Sequence, residues 1–233
     1  MFLLNIQGMD PAIKNQKWKI KAIADHIHLS KKTIPFFALT ETHLKSRHFD
    51  AEVNINGYNI FRADRIKRHQ GGSALYVNKS LAVTKSLSHS NSFCETAGIF
   101  IQPLNLVVFS VYRPPAAAQA YFEESISKMQ DFINQLDSPE VLVLGDFNFP
   151  FVSWEPIIAV NQDKRSVTTS DQNSEKALIT FMEEHFLQQF VTEPTRKDLN
   201  ILDLVFSNNS HAIHSINVVK TEISDHDFVY TLL

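Results

Sequence analysis

Cys94 is the only cysteine among 233 residues. One thiol can neither close an intramolecular disulfide nor build a thiolate zinc site, so disulfide frameworks are excluded and a reducing compartment is the natural setting. A buried, inert thiol is a plainer reading of it than a nucleophile. Glycine is scarce, with six residues, and neither Gly-x-x-x-x-Gly-Lys nor Gly-x-Gly-x-x-Gly occurs, which removes the usual signatures of nucleotide phosphate binding. Gly71-Gly72 therefore reads as a turn. No apolar run approaches the ~18 residues of a membrane span, and Met1 to Leu4 is too short for a signal-peptide core and has no basic flank. A soluble intracellular protein is expected. With 44% hydrophobic and 20% charged residues the composition is that of a folded globular chain, and one domain spanning 1–233 can bury ~70–75% of its unfolded surface.

The net charge of −3 conceals an asymmetry: residues 1–90 carry 14 Lys/Arg against 6 Asp/Glu, and the remainder 8 against 19. Either a polyanion-binding surface lies beside a cation-binding centre, or the two halves simply present solvated faces. Apolar runs at Phe2–Ile6, Pro35–Thr40, Tyr58–Phe61, Ser73–Val77, Ile99–Ile101, Leu106–Tyr112 and Val141–Leu144 read as strands, with a weaker one at Ala82–Leu87. Four more follow at Phe190–Val191, Ile201–Phe206, Ile213–Val219 and Phe228–Leu232, after an irregular stretch from Pro150 to Ser174. Helical spacing relates Ile20, Ile23 and Ile27, then Phe122, Ile126, Met129, Ile133 and Leu136, then Leu178, Phe181, Met182 and His185, the last read as a core-edge histidine. Ten or so short strands with few helices suggest two face-to-face sheets with helices outside.

Polar residues collect just past these strands. Asp146 and Asn148, at i and i+2 of extended backbone, would present a carboxylate and an amide on one side; an Asx-type turn explains Gly145-Asp146-Phe147-Asn148 equally well. Asp203 lies inside an apolar run and needs a partner, for which His226 is the natural candidate. A carboxylate on one ring nitrogen would raise the imidazole pKa and leave the other N–H facing developing negative charge, though a purely structural pair is the alternative. Glu41, Asn5 and Asp225 offer oxygen ligands, and no histidine or cysteine pair has zinc spacing, so a metal here should be hard: Mg²⁺, with Mn²⁺ second.

Taken in order, Asn5, Thr40-Glu41-Thr42, Tyr112-Arg113-Pro114-Pro115, Gly145-Asp146-Phe147-Asn148, Leu202-Asp203 and Ser224-Asp225-His226 resemble the endonuclease/exonuclease/phosphatase superfamily. Three stretches, Gly71 to Val77, Tyr112 to Pro115, and Glu193-Pro194-Thr195-Arg196 with Asn200 to Leu204, are similar to the endonuclease domains of non-LTR (LINE-type) retrotransposons. The resemblance implies an α/β fold, the four-layer sandwich of deoxyribonuclease I-like proteins, with two mostly antiparallel sheets flanked by helices. It further implies metal-dependent nicking of double-stranded DNA to leave 3′-hydroxyl and 5′-phosphate, action in the nucleus, and a reverse-transcriptase domain in a longer parent protein.

Carried onto this chain, the resemblance makes Glu41 a Mg²⁺ ligand, with Asn5 and Asp225 assisting. Asp146 becomes the base for the attacking water, Asn148 its orienter, His226 with Asp203 the stabiliser of transition-state charge, and Tyr112 a phosphate donor. Arg113 and Thr195 become backbone contacts. The cluster Arg62, Arg65, Lys67 and Arg68 is placed to grip flanking phosphates, whereas Lys14, Lys17, Lys19 and Lys21 read as a solvated helix face. Phe147, Phe149 and Trp154 are either base wedges or, more simply, core. Competing assignments are an apurinic/apyrimidinic endonuclease, a phosphatase or phosphodiesterase of the same superfamily, and a catalytically dead binding module.

Overall fold

The computed structural model describes residues 1–30, 33–66, 70–115, 117–152, 154, 169–197 and 200–233. Two six-stranded sheets face each other. The first contains β1 (Phe2–Asn5), β2 (Phe36–Thr40), β3 (Tyr58–Ala63), β4 (Ser73–Asn78), β11 (Ser215–Val219) and β12 (Phe228–Leu232), in the order β11-β12-β1-β2-β4-β3. The second contains β5 (Val83–Ser90), β6 (Glu95–Ile101), β7 (Leu106–Tyr112), β8 (Glu140–Asp146), β9 (Gln188–Gln189) and β10 (Asp203–Ser207), in the order β5-β6-β7-β8-β10-β9. Each sheet is antiparallel except for one parallel pair, β1 with β2 and β7 with β8. Helix α1 (Lys17–Leu29) covers the outer face of the first sheet, and α2 (Gln119–Ile133) and α3 (Thr169–Glu184) that of the second.

Strand alternation builds these layers. Phe2, Leu4, Phe37 and Leu39 pack outward with Ile23 of α1, while Leu3, Phe36 and Ala38 point into the space between the sheets. In the second sheet Val107, Phe109, Val111, Val141 and Val143 pack outward against Phe122, Ile126, Met129, Leu178 and Phe181, while Val108, Leu142, Leu144 and Val205 point inward. Burying each such side chain contributes ~1.5–3 kcal/mol. The inward parity, followed to the ends of the strands, changes from apolar to polar and delivers Asn5, Thr40, Ser110, Tyr112, Asp146 and Asp203, all buried. The site is thus the polar end of the inter-sheet core.

Several element boundaries differ from the sequence reading. The helix α3 begins at Thr169, within the stretch expected to be irregular, because its first turns contain no large apolar residue to reveal a period. The strand β10 begins at Asp203 rather than Ile201, so this aspartate opens the strand instead of interrupting it. Two further strands differ: β9 is Gln188–Gln189, just before Phe190, and β3 runs on to Ala63, drawing Arg62 out of the loop. Gly71 and Gly72 form the expected turn, with φ of +107° and +98°. Cys94 is buried, which pushes its thiol up to about 12 and leaves it unreactive at neutral pH.

Gly145 marks the tightest approach in the second sheet, since a Cβ there would lie 2.1 Å from the Val111 carbonyl oxygen across the parallel β7–β8 pair. Gly145→Ala must push apart the two strands that carry Tyr112 and Asp146. A loss of about 2 kcal/mol or more in denaturant unfolding is expected; a variant as stable as the parent would show that the pair has slack.

Candidate active site

Register places the site residues in two rows. In the second sheet Tyr112, Asp146 and Asp203 sit side by side on β7, β8 and β10. In the first, Asn5 of β1 lies beside Thr40 of β2, which lies beside Ser73 of β4. The rows meet across the gap between the sheets. Asn5 Nδ2 donates to Asp146 Oδ2 at 2.7 Å and to Glu41 Oε1 at 2.9 Å, while Ser73 and Ser110 share a hydrogen bond of 2.6 Å. Tyr112 Oη also donates to Glu41 Oε1, at 3.0 Å. Its hydrogen is therefore given to the carboxylate rather than offered to a phosphate. Glu41 Oε2 faces His43 Nε2 at 3.5 Å.

His226 arrives from the turn before β12. Its Nδ1 lies 2.6 Å from Asp203 Oδ2, and its Nε2 lies 3.8 Å from Asp225 Oδ1. Asp146, Asp203 and His226 each offer a ligand atom, all within 4.8 Å of one another. Asp225 is gripped through Oδ2 by Arg196 Nε and Nη2, at 3.2 and 3.1 Å. The buried Oδ1 atoms of Asp203 and Asp225 have no hydrogen-bond partner.

These surroundings set the protonation states. Burial, then repulsion from Asp203 and Glu41, drives the Asp146 carboxyl well above the usual carboxylate range, against the opposing pull of His226 and Asn5. Burial alone would lower the His226 pKa, but Asp203, helped by Asp146 and Asp225, outweighs it and lifts the value to about 9. Glu41 behaves oppositely to Asp146: burial raises its pKa, yet nearby His43 and the hydrogen bonds from Asn5 and Tyr112 prevail and lower it. Two neighbouring carboxyls pushed in opposite directions, Glu41 down and Asp146 up, are the arrangement acid–base chemistry needs.

The expected site residues do not all share one environment. Asn5, Glu41, Tyr112, Asp146, Asp203, Asp225 and His226 are brought together. Asn148 sits beside them but not as expected: its φ of +49° ends the extended backbone, and its Nδ2 donates to the Arg113 carbonyl at 2.8 Å. Its backbone N–H bonds Asp146 Oδ1 at 3.1 Å, so the Asx turn and the site coincide.

The expected DNA contacts are largely corrected. Arg113 is fully buried, with Nη1 donating to the Phe147 and Asn148 carbonyls and its guanidinium 4.2 Å from the centre of the Phe149 ring. It staples the loop after β8 and cannot reach DNA. Thr195 is fully buried too; Oγ1 accepts from the Leu202 and Asp203 amides, both at 3.1 Å, and so fixes the start of β10. Arg62 pairs with Asp50 and Asp64 and donates to the His48 carbonyl. Arg65 forms a buried pair with Glu95, at 2.6 and 2.9 Å, over the Tyr112 ring. Lys67 and Arg68 lie outside the described residues. Phe147, Phe149 and Trp154 are core, and His185 packs on Phe181 at the core edge.

Sequence reasoning missed three supports. His43 follows Glu41 by two residues, a spacing that marks a neighbour of the carboxylate. Lys19 is four residues before buried Ile23, hence on the inward face of α1, and is itself buried rather than solvated. Glu95 shares the inward parity of Ala97 and Ile99 on β6. Its carboxylate also accepts from the Gly72 amide at 2.9 Å, and side chains at Gly71 or Gly72 would strike Arg65 or Thr42.

Known proteins bear on this geometry as follows. The family model described as endonuclease-reverse transcriptase matches residues 106–230. A search of curated proteins finds no match. Among solved structures, the endonuclease domain of TRAS1, a telomere-specific non-LTR retrotransposon, is 14% identical with a TM-score of 0.60, covering 100% of this chain and 96% of its own. The AP endonuclease LMAP from Leishmania major is 13% identical, with a TM-score of 0.65 and coverage of 99% and 86%. The mannosyl-6-phosphatase Bt3783 of Bacteroides thetaiotaomicron is 14% identical, with a TM-score of 0.59 and both chains covered fully. At these identities the likeness is one of fold.

Arg65→Met should leave the Glu95 carboxylate buried and unpaired, costing about 3–5 kcal/mol of stability. A DNA contact would instead reduce the salt dependence of DNA binding with stability intact, and that result would restore Arg65 to the DNA surface. In metal-free protein, NMR should find His226 titrating near 9, and Asp203→Asn should return it toward 6.5. Because folding raises this pKa, the stability the pair contributes is fully present below about 6.5 and is lost as pH rises through about 9. An ordinary or lowered pKa would mean the pair is neutral.

Proposed function

The chain belongs to the endonuclease-reverse transcriptase family of the endonuclease/exonuclease/phosphatase superfamily, and on that premise we propose that it is a Mg²⁺-dependent DNA endonuclease. It nicks one strand of a duplex and leaves 3′-hydroxyl and 5′-phosphate ends. The observation that supports this reading best is the convergence of Asp146, Asp203 and His226 within 4.8 Å, tied through Asn5 to ionised Glu41.

The residues fit a hard divalent ion. Four carboxylates crowd one end of the inter-sheet core, two of them with an unpartnered buried oxygen, and apart from His226 and His43 the donors are oxygens. Glu41 and Asp225 would hold the ion, with Asn5 beside them; Mg²⁺ is the first choice and Mn²⁺ the second. Bound there, it would neutralise charge on the scissile phosphate.

The remaining work falls to the chain's own groups. Asp146 takes a proton from the water that attacks phosphorus; the bond from phosphorus to the 3′ oxygen breaks, and that leaving oxygen gains a proton from solvent water to end as the 3′-hydroxyl. A carboxylate whose environment favours its protonated form is the stronger acceptor once ionised. His226, held protonated by Asp203, presents Nε2–H to the phosphate oxygens as negative charge develops, a contribution worth a few kcal/mol in a buried site. Asn5 fixes Asp146 and Glu41 relative to each other, Tyr112 fixes Glu41, and Asn148 fixes the turn that carries Asp146. Action on chromosomal DNA in the nucleus, and a reverse-transcriptase domain in a longer parent protein, belong to the same reading.

Supercoiled plasmid should convert to the nicked form with Mg²⁺ and not with EDTA. Asp146→Ala and His226→Ala should each lower the rate by about 10²–10⁴ with folding retained. Intact and abasic duplexes run side by side separate this reading from a repair endonuclease: cleavage confined to the abasic strand would favour repair, and hydrolysis of small phosphomonoesters with plasmid left intact would favour a phosphatase.

A further inference from the structure

Between β1 and α1 the backbone turns sharply, with left-handed Gln7 (φ +50°) followed by Gly8 (φ +91°). Gln7 is a junction. Its amide donates to Asn5 Oδ1 at 3.1 Å, its side-chain Oε1 accepts from the Asp225 amide at 3.4 Å, and the next amide, Gly8, donates to the Glu41 carbonyl at 2.7 Å. Through Gln7 and Gly8 the backbone after β1 touches the amide that bridges the sheets, the strand end carrying Glu41, and the turn carrying His226.

Lys19 holds the junction from below. Its ammonium donates to the Ile6 carbonyl at 2.6 Å and to the Gln7 carbonyl at 3.1 Å, from a side chain only 8% exposed. A buried ammonium is costly unless its hydrogens are taken and opposite charge lies near. Burial still lowers the Lys19 pKa, but two of its hydrogens are taken by the carbonyls and Asp225 and Glu41 oppose the shift. On an amphipathic helix this inward position would ordinarily carry an apolar residue. A lysine placed there with its hydrogens on two consecutive carbonyls of a strained loop is better explained by what it holds than by packing.

We propose that Lys19 is a positioning residue of the active site: by clamping the Ile6 and Gln7 carbonyls it keeps Gln7 bridging Asn5 and Asp225, and so keeps the Asn5–Asp146 side of the site aligned with His226. The effect on turnover rests on the nuclease reading; the structural clamp does not.

The test pairs amide hydrogen exchange in metal-free protein with plasmid-nicking kinetics. Lys19→Met should accelerate exchange at the Gln7 and Asp225 amides by tenfold or more, while Val205 on β10 and Met129 on α2 exchange as before. It should lower kcat about tenfold with KM for DNA within twofold, since alignment rather than binding is lost. Lys19→Gln, which can still donate to one carbonyl, should fall between Lys19→Met and the parent in both measurements. Lys21→Met, on the exposed side of the same helix, should match the parent. Unchanged exchange at Gln7 and Asp225 would overturn the proposal, as would acceleration spread evenly over Val205 and Met129. A parent protein that fails to nick, yet shows the selective exchange change, would remove the nuclease reading and leave the clamp standing.

Discussion

The hydrogen bond from Asn5 Nδ2 to Asp146 Oδ2 joins the two sheets at the end where their shared core turns from apolar to polar. Each partner lies at the last residue of its strand, and each faces inward because the strand's alternation leaves it no other direction. A one-residue slip of β1 or β8 would turn either side chain toward the helices. The strands cannot slip without exposing Leu3, Leu142 and Leu144. Hydrophobic packing and chemical geometry are therefore enforced by the same register, and every other site residue is arranged around this bond: Glu41 on the other hydrogen of Asn5, Tyr112 and Asp203 on either side of Asp146.

Backbone conformation records where this arrangement is under tension. Gln7, Glu41, His43 and Asn148, all non-glycine residues, adopt left-handed φ between +49° and +58°. Each follows the end of a strand that delivers a site residue. Such conformations cost about 1 kcal/mol or more each and persist where surrounding contacts over-determine them. Here those contacts are Lys19 beneath Gln7, the Gly71 carbonyl on the His43 amide, and Arg113 beneath Asn148.

How much of this was legible in the sequence divides along a physical line. Alternation along single strands is a local property, so the strand set, the two-sheet architecture and the residues at the strand ends could be read directly. The pairing of Asp203 with His226 was also legible, because a carboxylate beside an apolar run demands a partner. Arg113, Thr195 and Arg65 were misread because a polar side chain in a motif reports that something is bonded, not whether the partner is DNA or the chain itself. For Thr195 the partners are two amides seven and eight residues on, and for Arg113 two carbonyls on the neighbouring strand's loop. Asn148 was misread through an assumption of extended backbone that the turn breaks.

The basic amino-terminal half changes its meaning on folding. Arg47 turns toward Asp10, Arg62 lies between Asp50 and Asp64, Arg65 lies against Glu95, and Lys19 faces Asp225 and Glu41. Of these, Arg65 and Lys19 face carboxylates of the acidic half, Glu95 and Asp225, so part of the excess positive charge is met inside the protein. What remains concentrated at the site is negative: Glu41, Asp203 and Asp225 gather with one imidazolium round Asp146, whose own carboxyl is driven toward its protonated form. A phosphate approaching these carboxylates would meet repulsion at ~4 kcal/mol per close unit pair at an effective dielectric of 20. His226 and Arg196, the latter already bonded to Asp225, offset part of it. A cation bound at this centre would lower that repulsion, which is the electrostatic part the proposed Mg²⁺ would play.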